Sequence, residues 1–437
     1  MNRALLENLK HWKNSTTRQP LILRGARQVG KTWLLLEFAK TAYDNTVYIN
    51  FDNNEQMRNL FSFDLDISRI ITGLEIYSDK KIIAENTLLI FDEIQEVPKA
   101  LASLKYFNEN APEYQIVCAG SLLGIALHKD TSFPVGKVEY LDLYPLSFFE
   151  YVKAVGEERY ISILEQGDFE LATVYKNKYI DLLKQYYYIG GMPEVVNSFL
   201  ESKDFNEVRE IQKRILDTYE QDFSKHAPSD IVPRIRMLWN SIPSQLGKEN
   251  KKFIYGLIRE GSRAKEYEKA LLWLTDCGLV HKVPRITIPK IPLKAYEDLK
   301  AFKLFILDVG LLSCMSRLEL NTLLNGNDLF IEFKGALTEQ YVLQQLKTKN
   351  SIETYYWTNE NANAEVDFIL DIENEIIPVE VKAEVNLQAK SLKQYRDKFN
   401  PKLSIRTSIA DYIDEGWLIN LPLWAVETIE TKSKKRN

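Results

Sequence analysis

The segment Gly25-Ala26-Arg27-Gln28-Val29-Gly30-Lys31-Thr32 limits the fold of this chain more than any other. It fits the phosphate-loop pattern G-x-x-x-x-G-K-[ST] at every fixed position. The apolar run Leu21-Ile22-Leu23 precedes it, and Trp33-Leu34-Leu35-Leu36-Glu37-Phe38, which reads as a helix, follows. Strand, glycine loop and helix is the setting in which the pattern has meaning. Glycines lack a Cβ and let the backbone curl close to an anion. The loop N–H groups and the helix N-terminus converge on one point and favour negative charge there. The backbone from Gly25 to Thr32 is therefore expected to cradle a nucleoside triphosphate. Lys31 would set a point charge against the terminal phosphates, and Thr32 a hydroxyl against Mg²⁺.

A second run, Thr87-Leu88-Leu89-Ile90-Phe91-Asp92-Glu93, ends in two acids. Its continuous apolar character predicts a strand covered on both faces of a parallel sheet. Asp92 falls at the carboxyl end, where open α/β sheets bind ligands, and is expected to hold Mg²⁺ through water. Glu93 is expected to be the base that orients the attacking water. A third run, Tyr114 to Ala119, leads into Gly120-Ser121. There Ser121 would reach the γ-phosphate or the lytic water, with helix capping as its alternative role.

The chain has 437 residues, 45% of them hydrophobic and 27% charged. That describes a globular protein of roughly two to four domains. A net charge of −5 excludes a generally basic polyanion binder, so any nucleic-acid surface must be local. No apolar run approaches the roughly 18 residues of a membrane span. The opening residues contain Glu7 and no long apolar core, unlike a secretory leader. Cys118, Cys277 and Cys314 lie far apart in apolar surroundings. They read as buried thiols in a reducing compartment, so a cytoplasmic location is expected. His11, His128, His226 and His281 show no zinc-site spacing. The basic tail Thr431 to Arg436 reads as a solvated end.

Four segments are expected. Residues 1–146 alternate strand-like and helical stretches, which predicts a parallel sheet with helices on both faces. Residues 147–234 read as helical, with a break at Gly190-Gly191-Met192-Pro193, and suggest a helical lid. In 235–325, the stretches Ile235–Leu246, Lys251–Glu260 and Lys265–Cys277 read as helices. Gly278–Val283 and Lys303–Leu307 then read as strands. Three helices and a hairpin suggest a winged-helix unit. Its last helix carries Arg263, Lys265, Glu266, Glu268 and Lys269, a mixed charge that fits a spacer as well as a DNA reader. Residues 326–437 read as a separate domain: a helix at Lys334–Leu346, strands at Thr354–Trp357, Val366–Ile372 and Ile376–Lys382, and a helix at Ala389–Phe399.

That last segment holds a second constellation. Strand alternation places Glu380 and Lys382 of Val379-Glu380-Val381-Lys382 on one face. Asp367 lies on the preceding strand. An even loop sets Asp367 opposite Glu380 or Lys382; an odd loop about Asn374 turns it to the other face unless a bulge intervenes. Two acids and a lysine on one face suit metal-assisted phosphodiester hydrolysis, with Asp367 and Glu380 binding the metal and Lys382 positioning the nucleophile. Glu339 shares a helix face with Val342, Leu343 and Leu346, where a lone carboxylate is costly and a metal or cation must offset it. Gln394, beside Tyr395, would reach phosphate or backbone near the same place. E-x-K alone reads as an exposed strand with a salt bridge.

On these residues the chain resembles the prokaryotic AAA-type ATPases that end in a PD-(D/E)xK nuclease-like domain of uncharacterised function. The resemblance spans nearly the whole length. It also rests on Phe133-Pro134-Val135-Gly136-Lys137-Val138, Tyr144-Pro145-Leu146-Ser147-Phe148, Leu307-Asp308-Val309-Gly310-Leu311-Leu312 and Gly335-Ala336-Leu337-Thr338-Glu339. It implies an α/β protein: a P-loop NTPase parallel sheet with helical lid, a winged-helix unit, and a C-terminal α/β restriction-endonuclease-like domain. It implies ATP and Mg²⁺ at Lys31, Thr32, Asp92 and Glu93, with Ser121 as sensor. It places Glu339, Asp367, Glu380 and Lys382 in the nuclease pattern, with a second Mg²⁺ or Mn²⁺ at Asp367 and Glu380. DNA is then a candidate partner and a homo-oligomer a candidate state. The rival reading is an ATP-driven switch or scaffold whose nuclease-like domain is silent and only binds DNA or a protein.

Overall fold

The structure, a computed structural model, describes residues 3–120, 134, 136–248, 251–325, 331–349, 352–359, 364–384 and 388–434. Ser121 and the end of the basic tail, Lys435-Arg436, lie outside the described residues. The chain divides into two compact units, Met1–Tyr144 with Asp276–Gly278, and Pro145–Thr275 with Leu279–Asn437.

The first unit is built on a parallel sheet of five strands, in the order β2-β3-β4-β1-β5. These are β1 Leu21–Arg24, β2 Asn45–Asn50, β3 Thr87–Asp92, β4 Gln115–Ala119 and β5 Glu139–Asp142. Every residue of β3 and β4 is buried, as the continuous apolar runs predict for strands covered on both faces. One face packs a core that includes Phe51, Phe61, Phe91, Leu104 and Phe107, with Phe51, Phe61 and Phe91 meeting edge to face. The helix Lys31–Ala42 follows β1 directly after the glycine loop.

In the second unit, helices fill the segment where a lid was expected: Phe148–Ala154, Glu158–Gln166, Phe169–Val174, Lys176–Ile189, Pro193–Ser202 and Phe205–His226. The break at 190–193 falls where the glycines and proline stand. Gly190 adopts φ 75°, ψ −164°, a conformation closed to other residues, and Pro193 starts the next helix. The buried carboxylate of Asp308 accepts the Gly191 N–H at 2.6 Å and the Gln344 side-chain amide at 3.0 Å. The Leu146 N–H donates to Gly191 O at 2.7 Å, so Leu146, Gly191 and Asp308 meet in one packing joint.

An eight-stranded mixed sheet follows, in the order β12-β13-β11-β10-β9-β8-β6-β7. Its strands are β6 Val280–Ile286, β7 Glu297–Ile306, β8 Glu353–Thr358, β9 Glu365–Ile372, β10 Glu375–Val381, β11 Ser404–Ser408, β12 Ile413–Asp414 and β13 Leu418–Pro422. The hairpin expected to be a wing, β6 and β7, is the edge of this sheet. β6 pairs with β8 at Arg285–Tyr356 and Ile286–Trp357. Sheet pairing therefore runs across the boundary expected at 325/326. The helix expected at Lys251–Glu260 is reduced to a 3₁₀ turn, Tyr255–Leu257. Gln245 explains the difference: its side-chain amide takes both the N–H and the C=O of Ile254, at 3.1 and 2.9 Å. The Phe253 N–H goes to Phe302 O on β7 at 2.8 Å. Backbone groups committed in this way are lost to a helix.

Candidate functional site

In the first unit the glycine loop leaves β1 and curls over the start of the helix Lys31–Ala42. Gly25 has φ 150°, and a Cβ there would lie 2.3 Å from Leu143 O. Gly30, at φ 94°, caps the helix. The Lys31 ammonium is bonded to Gly25 O at 2.9 Å and Ala26 O at 2.8 Å, inside the loop's own curl. Burial lowers its pKa to about 8, against the opposing pull of Glu93 and Asp92.

Thr32 Oγ1 donates to Asp92 Oδ2 at 2.7 Å. Asp92 ends β3, and Thr32 is the second residue of the helix that follows β1 and the glycine loop, with β4 between the two strands. A hydroxyl and a carboxylate oxygen side by side are hard ligands suited to Mg²⁺, with water completing the shell. The Tyr48 hydroxyl also donates to Asp92 Oδ2, at 2.9 Å. Glu93 follows with φ 51°, a left-handed backbone that is uncommon outside glycine. Its Oε2 accepts from Gln95 Nε2 at 2.6 Å. Sequence reasoning missed Tyr48 and Gln95. Tyr48 left a faint signal, an outward residue on a strand two positions before Asn50, which pairs with Asp92.

In the second unit the hairpin register settles the geometric demand on Asp367. The turn is Glu373-Asn374, both at positive φ (53° and 66°), the signature of a two-residue type I′ connection. Glu375 is the first strand residue, opposite Ile372, and pairing continues to Val379 opposite Phe368. One more step sets Glu380 across from Asp367, the even case. β9 also carries a bulge. Tyr355 faces Ile369 and Trp357 faces Val366, so Asp367 and Phe368 both stand against Tyr356. Bulges re-aim side chains in this way.

Two lysines that the sequence reading did not single out enter the cluster. Lys303, on β7, is fully buried. Its ammonium lies 2.5 Å from Glu365 Oε1, 3.3 Å from Glu339 Oε2 and 3.6 Å from Asp367 Oδ1. Lys251 pairs with Glu339 Oε1. Lys382 pairs with Glu380 Oε1 at 2.7 Å. Asp367 Oδ2 accepts the Val381 N–H at 2.8 Å. The signal for Lys303 was a lysine inside the apolar strand Phe302–Ile306; such a charge is buried only with partners.

Burial pulls the Lys303 pKa down, but Glu339, Glu365 and Asp367 outweigh it and hold the ammonium above the ordinary lysine range. Burial also pushes Glu339 up, yet the Lys251 and Lys303 charges keep it well below the usual carboxylate range. Asp367, hydrogen-bonded to Glu339, goes the other way: burial and the Glu339 charge hold its carboxyl well above its usual range. Gln394 is exposed on the helix Lys390–Phe399, whose Leu392 and Tyr395 join a core with Trp357, Val366 and Ile369.

A divalent cation at Asp367 and Glu380 was expected. Among the described residues, no set of three His, Cys, Asp or Glu side chains is arranged to hold a metal. Glu380 Oε2 is buried without a hydrogen-bond partner and would suit a cation. Around it, however, Asp367 is committed to the Val381 amide, and Lys303 stands among the remaining acids. The residues do not fit a divalent cation there.

Residues 17–152 match a family described as an AAA domain. Residues 180–322 match a domain of unknown function (DUF8612), and residues 334–424 another (DUF4143). No curated protein matches the chain. Among solved structures the chain is similar to the Walker-type ATPase PABY2304 of Pyrococcus abyssi, at 16% identity and TM-score 0.44, over 71% of this chain and 94% of that one. It is also similar to the Aeropyrum pernix ORC1 protein in complex with DNA, at 11% identity and TM-score 0.26, over 72% and 90%. A further likeness is to Cdc6p of Pyrobaculum aerophilum, at 14% identity and TM-score 0.25, over 63% and 86%. Among the described residues no helix is long and apolar enough to cross a membrane. The AAA-domain match and the parallel sheet with its glycine loop fall on the same residues, 17–152.

Proposed function

We propose that this protein binds ATP with Mg²⁺ in its N-terminal unit and hydrolyses it, and that nucleotide state controls a C-terminal nuclease-like unit that engages DNA. The observation that carries the first part is the meeting of Lys31, Thr32, Asp92 and Glu93 at one end of the sheet, with Thr32 and Asp92 in direct contact. Lys31 would exchange the Gly25 and Ala26 carbonyls for phosphate oxygens, a stronger, charge-assisted partner. Thr32 and Asp92 would hold Mg²⁺, which when bound offsets phosphate charge. Glu93, steadied by Gln95, would orient the attacking water. Ser121 is proposed as a sensor of the γ-phosphate. A homo-oligomer with shared ATP sites and a cytoplasmic location complete the reading; the buried free cysteines support the latter.

Calorimetry with ATP and Mg²⁺, paired with turnover assays, tests it. Glu93→Gln should keep ATP binding and lose about 10²–10⁴ in turnover, the usual worth of a positioned base. Absence of binding heat from folded wild type would sink the reading. For the C-terminal unit a second reading is favoured by one observation. Lys303 sits in the acid cluster where catalysis would require a metal, so this unit would bind DNA or a protein without cutting.

A further inference from the structure

We infer that Lys303 is the resident cation of the C-terminal acid cluster: its ammonium fills the place among Glu339, Glu365 and Asp367 that a divalent metal would need. The cluster then fastens β7 to the β9–β10 hairpin instead of recruiting a metal. This rests on the second reading above, in which the nuclease-like unit is silent, and supplies its physical cause.

Position is the first ground. Lys303 is in mid-strand, opposite Val283 in the β6–β7 pairing, and none of its surface is exposed. Its ammonium is tethered to the sheet and cannot leave as a hydrated ion would.

The second ground is the commitment of the acid oxygens. Glu339 gives one oxygen to Lys251 and the other to Lys303. Glu365 Oε1 goes to Lys303, and Asp367 Oδ2 to the Val381 N–H. A metal ion on Asp367 Oδ1, which lies 3.6 Å from the ammonium, would face a like charge in a medium that screens poorly. Replacing that ammonium with an uncharged side chain leaves Glu339, Glu365 and Asp367 short of a cation.

Charge balance is the third. The acids Glu339, Glu365, Asp367 and Glu380 face the ammoniums of Lys251, Lys303 and Lys382. A buried cluster whose acids already face resident ammoniums leaves little charge for a metal to offset. The unpartnered Glu380 Oε2 is a single ligand, short of a site.

The test is Mn²⁺ binding to the full chain without nucleotide, followed by electron paramagnetic resonance and calorimetry. Wild type should show no Mn²⁺ site that Asp367→Asn removes. Lys303→Met should gain one, at least about tenfold tighter than any wild-type binding, the scale on which ligand-shell changes act. Asp367→Asn added to Lys303→Met should abolish the gain. A wild-type site lost in Asp367→Asn overturns the inference, and so does a folded Lys303→Met that binds no more than wild type. If Lys303→Met does not fold, wild type against Asp367→Asn decides alone. DNA cleavage by wild type that is lost in Asp367→Asn, with no Mn²⁺ site there, defeats the silent reading but leaves the assignment of Lys303 standing.

Discussion

Thr32 Oγ1 and Asp92 Oδ2 are joined by a 2.7 Å hydrogen bond, and Tyr48 donates to the same oxygen at 2.9 Å. The acid that would face Mg²⁺ is therefore held from two sides. Removing the tyrosine hydroxyl releases one of those two holds and leaves the phosphate loop and Thr32 in place. Tyr48→Phe should cost about 1 kcal/mol of stability or less, because one hydrogen bond is lost at a partly exposed site. Its effect should instead appear in the Mg²⁺ concentration needed for half-maximal ATP turnover, which should rise severalfold. An unchanged Mg²⁺ requirement would show that Tyr48 has no part in setting Asp92.

Lys31 gives a pH dependence of nucleotide binding. Its pKa in the folded protein is lowered to about 8 by burial. Triphosphate beside it favours the ammonium, so its pKa rises on binding. Below pH about 8 both states are protonated and this group leaves affinity unchanged. Above it the complex must take up a proton that the free protein lacks, and affinity should fall by about tenfold per pH unit. Calorimetry in buffers of different ionisation enthalpy should register that uptake at high pH and none near neutrality. A pH-independent dissociation constant between those limits would remove Lys31 from the binding step.

Gly190 tests the packing joint of the second unit. A Cβ there would fall 2.1 Å from Asp308 Oδ1, and φ is 75°. Gly190→Ala should therefore cost at least about 1–3 kcal/mol, since strain and a displaced buried carboxylate add. Gly335 is the control. It lies within the helix Ile331–Lys347, and a methyl group added there would meet nothing within 4 Å, so Gly335→Ala should gain about 0.5–1 kcal/mol. Urea unfolding of both variants separates the outcomes; a neutral Gly190→Ala would contradict the joint.

The N-terminal sheet was legible because its strands are buried on both faces. Leu88–Phe91 and Ile116–Ala119 had no other reading, and a phosphate loop works only between a strand and a helix. Glu339 was legible for a related reason: a carboxylate on an apolar helix face demanded a cation. What the sequence could not supply was which cation. Lys303 is 36 residues from Glu339, and only the joining of β6 to β8 brings its strand to the cluster. The register of the hairpin hid in one residue, Glu375, which belongs to the strand and makes the turn even. The lost helix at 251–260 hid in Gln245, whose amide captures Ile254 from nine residues away. Tertiary partners of this kind leave no local pattern.

The Asp367–Glu339 pair gives the last prediction. Asp367 keeps its proton above the ordinary aspartate range, while the unfolded chain releases it within that range. Between those limits the folded state binds more protons, so this group's contribution is full at low pH and is lost as pH rises through the raised value. Glu339 has the opposite sign. Held below its usual range, it contributes above that range and loses the contribution as pH falls through the lowered value. Asn at 367 mimics the protonated carboxyl, with an N–H to offer Glu339 and an oxygen for the Val381 amide. Near about pH 5, Asp367→Asn should match wild type to within about 1 kcal/mol. As pH rises to about 9 the wild type should lose stability that the variant keeps, so their unfolding midpoints should cross or diverge in the variant's favour. Glu339→Gln, in contrast, strips two buried ammoniums of a partner and should cost about 3–5 kcal/mol at neutral pH. Equal pH slopes for wild type and Asp367→Asn would mean that Asp367 does not hold its proton above the ordinary aspartate range.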